Sequence, residues 1–273
     1  MSKKIIGLEH NSISPDITGV ENDFSEELHL ERGKNDFLTV YVDNAISSAT
    51  LDSKHNVAML IEPIVVSRAN FKWIEENYDQ FDMILTHHQP LLRLSPKFRY
   101  YPVWPRIKMD RNNWKIYPKK KSVSVIFSNK NQTSSQEFRH SIVKRFKDKL
   151  DLYGTGYQYI DDKVEGTGDY RYQVVVENIF SGYVSEKAND CFACGTIPIY
   201  HGDASSNIND FYDPNGFVLF ETLDELDHII NNVIDEEYYL DRTDAIAKNY
   251  NLAIHNTVHT TLWNCGIKEF FNE

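Results

Sequence analysis

A chain of 273 residues has mass for two domains of ordinary size or one large one, and with 41% hydrophobic and 13% aromatic residues its composition is that of a folded globular protein. Its 29 Lys and Arg against 40 Asp and Glu leave a net charge of −11, which excludes nucleic acid as a general partner and disfavours anionic membranes. Any anionic ligand must therefore be held by a local cluster of cations. Three cysteines, Cys191, Cys194 and Cys265, make no disulfide framework; residues 1–10 turn polar before an apolar signal core develops; and no 18-residue apolar run occurs. The expectation is a cytoplasmic protein with no membrane span.

Apolar runs bounded by turns alternate with stretches of helical period, the pattern of βα units around a mostly parallel sheet. Residues 37–42 and 56–61 read as strands, 67–78 as a helix and 81–86 as a strand. The prolines at 102, 105 and 118 interrupt both helix and sheet, and the domain boundary is expected near Pro118, giving lobes of 1–117 and 118–273. The second lobe restarts with a strand at 122–128 and a helix at 134–150, whose Phe138, Ile142, Val143, Phe146 and Leu150 recur on one face. Short strands follow at 152–154 and 172–176. After a polar loop comes a helix at 184–194, stopped by Gly195 as a residue just past a helix end. Strands at 196–200 and 216–220, a helix at 222–235 and helical sequence from about 241 onward complete the pattern.

The stretch from Tyr172 to Gly195 carries the chemistry. Ligands of open α/β sheets sit off the carboxyl ends of strands, beside helix N-termini. Glu177-Asn178 follows the strand here, and Tyr183-Val184-Ser185-Glu186-Lys187 opens the helix. Lys187 in a first turn opposes the helix dipole by about 0.3–1 kcal/mol, so it is either one half of a solvated Glu-Lys pair or part of an anion site.

Tyr172-Gln-Val-Val-Val-Glu177-Asn178, then Tyr183-Val-Ser-Glu186-Lys187, then Ala193-Cys-Gly195-Thr196-Ile-Pro198-Ile-Tyr-His-Gly202 resembles, in residue type and spacing, the signature of the α-1,3-fucosyltransferases, glycosyltransferase family 10. Upstream, Val123-Ser-Val-Ile-Phe-Ser128-Asn129, Arg139 and Tyr153-Gly154 resemble the family's Ser-Asn, Arg and Tyr-Gly segment, and Asp213-Pro214-Asn-Gly216-Phe217 its Pro-x-x-Phe turn. The likeness spans about 100 residues, from Ser122 to Asp224; in the first lobe only Met59-Leu60-Ile61-Glu62-Pro63 is similar to the family.

The resemblance implies an α/β fold of GT-B type, two Rossmann-like lobes with a cleft between them. It implies a donor lobe at 118–273 that binds a GDP-sugar and an acceptor-side lobe at 1–117, with inverting transfer of fucose from GDP-fucose to a hydroxyl of a glycan acceptor. Departure of the diphosphate calls for fixed cations, for which Arg139 and Lys187 are the candidates; Lys130 and Arg145 are stand-ins for Arg139. The family places the counterparts of Asn178, Tyr183 and Glu186 around the nucleotide, with Glu177, Ser128 and Asn129 in the same segments. The acceptor hydroxyl must lose its proton to one carboxylate, and Glu62, fixed by Pro63, resembles the family's general base; the alternative for Glu62 is a strand-end surface acid. His87 and His88 touch acceptor or sugar, or are plain loop residues. No Asp-x-Asp pair occurs, so no obligatory metal is expected. The alternatives are a GT-B transferase using another nucleotide sugar, and a binding relative that has lost turnover.

Other signals read as structure. Cys191-Phe-Ala-Cys194 lies at the wrong end of its helix to lower a thiol pKa. His255 and His259 have zinc-like spacing on a helix but no third ligand. Lys119-Lys120-Lys121 reads as a solvated linker, and Gly154-Thr-Gly156 and Gly166-Thr-Gly168 as loops.

Overall fold

The structure, a computed structural model, describes residues 3–10, 27–102, 107–179, 182–256 and 258–272. The chain forms two compact units, Met1–Pro105 with His255–Glu273, and Arg106–Ile254.

The first unit is a six-stranded parallel sheet. Its strands are β1 (Lys4–His10), β2 (Leu28–Arg32), β3 (Leu38–Val42), β4 (His55–Leu60), β5 (Met83–Thr86) and β6 (Phe98–Tyr100), in the order β2-β1-β3-β4-β5-β6. β3 and β4 are buried along their whole length, as interior parallel strands covered on both faces must be. Helix α1 (Ile64–Asn77) starts at Pro63, which cannot donate and so suits the position, and brings Phe71 and Ile74 onto Tyr41, Ala58, Leu60 and Phe81. β1, β2 and β6 escape the sequence reading: β6 is three residues long, and β1 and β2 are recognisable chiefly by the neighbours they pair with. After β5 comes the short helix α2 (Gln89–Leu92).

The second unit holds β7 (Lys121–Ile126), β8 (Asp151–Tyr153), β9 (Tyr170–Val175), β10 (Ile197–His201) and β11 (Val218–Phe220), all parallel, ordered β11-β10-β9-β7-β8. Helices α3 (Ser134–Phe146), α4 (Val164–Thr167), α5 (Glu186–Ala193) and α6 (Ile208–Phe211) alternate with them, and α7 (Leu223–His228), α8 (Glu236–Leu240) and α9 (Thr243–His255) follow β11. Successive residues of β9 serve opposite faces. Val174 packs with Ile142, Phe146, Ile199 and Phe220, and Val175 with Ala188, Cys191, Phe192 and Tyr200.

The units part at 105 and 106, earlier than Pro118. The reason is apolar: Ile107 and Met109 are buried with Ala193 and Cys194 at the end of α5, and the Tyr117 amide donates to the Cys194 carbonyl. Residues 103–106 of the proline-rich break, and 180 and 181 of the loop before α5, lie outside the described residues. Nor does the C-terminal segment stay with the second unit. Past α9, α10 (Val258–Asn264) packs on β2, and the rings of Phe270 and Phe271 lie tilted at 4.6 and 4.9 Å from those of His55 and Phe37 in the first unit. The helix read through His255 and His259 is thus two helices, with His255 ending the first and His259 buried on the second.

Lys119 is no solvated linker residue. Its Nζ donates at 2.8 Å to Gly168 O, Cys194 O and Thr196 Oγ1, and burial pulls its pKa down to about 8. The Gly166-Thr-Gly168 segment is not an open loop either: it forms the end of α4, where Gly166 O accepts from Ser124 and Gln173.

Gly195 follows α5 at φ +68°, and a Cβ there would lie 2.7 Å from Ile116 Cγ2. Gly195→Ala should lower stability by about 1–3 kcal/mol, read as a shift in urea midpoint with unchanged slope.

Candidate functional site

The charged edge of the second unit is built at the carboxyl end of β9. Ser185 is the N-cap of α5, its side chain accepting from the Lys187 amide. Glu177, 1% exposed, faces this cap: Oε1 accepts the Ser185 amide at 2.7 Å, and Oε2 accepts the Ser185 hydroxyl at 2.6 Å and Lys187 Nζ at 3.0 Å. Lys187 Nζ also donates to Ser185 Oγ at 2.7 Å and stands 3.8 Å from Glu186. The lysine is therefore paired chiefly across the loop with Glu177, with its neighbour Glu186 as the more distant partner.

Arg139 comes to the same strand end from α3. Thr133 caps that helix, and Gln136, Arg139, Ile142 and Phe146 make its buried face, so the i, i+3 spacing carries a guanidinium inward on an otherwise apolar stripe. Its Nη2 donates to Val176 O at 2.6 Å and to Asn178 Oδ1 at 3.1 Å, while Nε, buried, has no hydrogen-bond partner among the described residues. Burial lowers the Arg139 pKa, opposed by the charges of Glu177 and Glu186. Ser135 Oγ bonds the Asn178 carbonyl at 2.7 Å, a second tie between α3 and the loop. Arg145, the stand-in, is engaged elsewhere, 2.7 Å from Asp224.

Glu186 and Asp190 share a face of α5 at i, i+4. Burial works against the Glu186 charge, but Lys187, Lys108 and Lys163 hold its carboxyl well below the usual range, with Lys108 Nζ at 3.1 Å. Asp190, 2% exposed, pairs with Lys163 and accepts the Lys108 amide at 2.7 Å; that pairing keeps Lys163 charged, its pKa raised against the cost of burial. A small hollow here is lined by Ile126, Phe127, Lys163, Gln173, Lys187 and Asp190. Lys108, Lys163 and Asp190 were missed in the sequence; only the i, i+4 acids on α5 announced a cationic surrounding. Tyr183 is buried, and its carbonyl accepts the Tyr200 hydroxyl at 3.1 Å.

Ser128 and Asn129 follow β7, the neighbour of β9 in the sheet; Gly154 (φ +105°) lies against Phe127 just before them, and a Cβ on Gly156 (φ +94°) would stand 2.8 Å from Asn129 Cβ. They stand past the carboxyl end of the same sheet; among the described residues no hydrogen bond or ion pair joins them to Glu177. Cys191 and Cys194 are buried, Cys191 against Gln173 and Cys194 against Met109, and burial pushes Cys194 up to about 12. They are core residues.

Glu62, His87 and His88 belong to the first unit, at the carboxyl ends of β4 and β5. Glu62 is half-buried, directly before Pro63. Its amide and that of Ile61 donate to Asp43, which follows β3 and is 2% exposed. Burial first, and the Glu62 charge after it, raise Asp43 to about 7 against those two hydrogen bonds. His87 is buried beside Phe71, and burial lowers its pKa to about 4; His88 lies 5.1 Å from the Phe71 ring.

Two parallel α/β units of this kind are those of a GT-B glycosyltransferase. Solved structures of that type share the fold with this chain. A crystal structure of an alpha1,3-fucosyltransferase is 18% identical over 88% of this chain and 80% of its own, with a TM-score of 0.56. One of an alpha1,3-fucosyltransferase with GDP is 17% identical over 93% and 91%, TM-score 0.55. A T4 phage BGT variant in complex with UDP-glucose is 11% identical over 98% and 99%, TM-score 0.55. No curated protein matches the sequence. The family model "Glycosyltransferase family 10 (fucosyltransferase) C-term" matches residues 116–259, just over half of the chain. The chain belongs to glycosyltransferase family 10, and it is a glycosyltransferase. Among the described residues no helix is long and apolar enough to cross a membrane.

Glu177→Ala strands the Ser185 amide and hydroxyl and leaves Lys187 without its main partner, so urea unfolding should register a loss of about 3–5 kcal/mol. For Asp43, the folded-state pKa lies above the unfolded one, so its contribution to stability is full below about pH 3.8 and is lost as pH rises through 7. Asp43→Asn removes that loss. Between pH 4 and 8 the variant should gain stability over the parent by up to about 4 kcal/mol, and a gap that stays flat with pH would contradict the assignment.

Proposed function

We propose that this chain transfers fucose from GDP-fucose to a hydroxyl of a glycan acceptor, with inversion at the sugar carbon. Support comes from the family match over residues 116–259 and, above all, from one observation: Arg139 and Lys187, recruited from different helices, bond to Val176, Glu177 and Asn178, the three residues that follow β9. As the bond from C1 to the phosphate oxygen breaks, negative charge grows on the departing GDP. Cations already fixed in place stabilise that charge without reorganising at the moment of reaction. Arg139 supplies a forked donor and Lys187 a point charge. Asn178, Tyr183 and Glu186 take the nucleoside, the ionised Glu186 accepting from ribose hydroxyls, and Glu177, Ser128 and Asn129 shape the same edge.

In this reading Glu62 takes the acceptor's proton as its oxygen bonds to C1, and the electron pair of the broken bond leaves with GDP. Residues of unit Arg106–Ile254 bind the donor and those of unit Met1–Pro105 serve the acceptor, His87 and His88 standing near Glu62's strand end. The donor requires no metal here, because the phosphate charge is met by side chains, and the three unpaired cysteines fit a cytoplasmic setting. A different nucleotide sugar is the second reading, favoured by the likeness to a fold relative in complex with UDP-glucose.

A thermal-shift panel separates them: GDP at 100 times its Kd should stabilise the protein by about 2.7 kcal/mol, while stabilisation by UDP alone ends the GDP assignment. Glu62→Gln should lower transfer by about 10²–10⁴-fold with GDP affinity intact, and an unchanged rate removes Glu62 from the base role.

A further inference from the structure

Where β3 leaves the sheet, its last residue paired with β4 is Val42, opposite Met59. The next residue, Asp43, turns the chain away at φ +46°, in the left-handed region, and opens a short 3₁₀ turn. The amides of Ile61 and Glu62, beyond the end of β4, are met by the Asp43 side chain. Oδ1 accepts Ile61 N at 2.9 Å and Glu62 N at 3.2 Å, and Oδ2 stands 3.4 Å from Glu62 N. On the other side of Glu62, Pro63 fixes its own φ, and its carbonyl accepts the amides of Val66 and Ser67 as α1 begins. Glu62 is thereby held at both ends, by a buried carboxylate before it and a helix start after it.

We propose that Asp43 is a positioning residue for the transfer reaction: its carboxylate fixes the backbone from which Glu62 reaches the acceptor hydroxyl. The proposal rests on Glu62 being the base. Asp43 touches no substrate. It sets where the Glu62 side chain begins, and a shift of about 1 Å in a reacting group costs about 10²-fold in rate.

Asp43→Gly keeps the left-handed backbone without strain and deletes both hydrogen bonds, whereas Asp43→Asn keeps an acceptor at the same atom and also tolerates that φ. The measurements are kcat and acceptor KM with GDP-fucose and the most active member of a panel of mono- to tetrasaccharides, together with GDP affinity by calorimetry. Asp43→Gly should lower kcat by about 10²-fold while GDP affinity stays unchanged, and Asp43→Asn should restore kcat to within about threefold of the parent. A residue that only stabilised the fold would leave kcat of the folded fraction intact, so Asp43→Gly at parental kcat overturns the proposal. If the glycine variant does not fold, Asp43→Ser, too short to reach both amides, takes its place with the same expected drop. Glu62→Gln is measured alongside. A slow Glu62→Gln with a fast Asp43→Gly defeats the role of Asp43 alone, and a fast Glu62→Gln defeats the base reading and Asp43's role together.

Discussion

Glu177 sits 1% exposed where β9 ends, in a place where an unpaired carboxylate would cost several kcal/mol, and it is reconciled to that place by three donors. Two come from Ser185 and one from Lys187, so a single acid ties the strand end to the cap of α5 and to the first cation of that helix. The magnitudes decide which force governs Lys187. The helix dipole disfavours it by about 0.3–1 kcal/mol, whereas two unit charges 3 Å apart attract by about 5 kcal/mol even at an effective dielectric of about 20. The pair with Glu177 prevails, and the lysine stays where sequence propensity alone would not put it.

The first unit solves a related problem by the same means. A parallel sheet ends in amides that no neighbouring strand receives, and at β4 these are the amides of Ile61 and Glu62. A buried carboxylate takes them. In both units, then, a buried acid just past the end of a parallel strand fixes the residues with chemical potential beside it, Ser185 and Lys187 in one case and Glu62 in the other.

Much of this was legible. Interior strands such as β3 and β4 announce themselves because burial along their whole length demands mostly apolar sequence, and α5 does so through its serine start and glycine stop. Lys187 could be singled out by its place in a helix start, and Glu177, Arg139 and Glu186 through the resemblance to the family signature. What they touch could not, because Lys108 meets Glu186 and Lys163 meets Asp190 only after distant segments pack, and neither lysine bears any local mark. Asp43 was invisible for the same reason: its partners lie 18 and 19 residues on, and no local pattern marks its left-handed backbone. The return of Phe270 and Phe271 to the first sheet was hidden because aromatic residues near a chain end look alike whichever core receives them.

Net charge is the property that composition predicts worst at the edge of the second unit. The chain carries −11 overall, yet around the end of β9 and the start of α5 four cations, Arg139, Lys187, Lys108 and Lys163, stand among three carboxylates, Glu177, Glu186 and Asp190. Each acid is committed to a lysine or to a backbone amide. The acids hold the cations apart and in position, and partly neutralise them, so the apo protein does not bear the repulsion of four bare charges. A dianionic or trianionic group entering this neighbourhood meets charges already oriented by hydrogen bonds, and its stabilisation comes from their placement more than from their number.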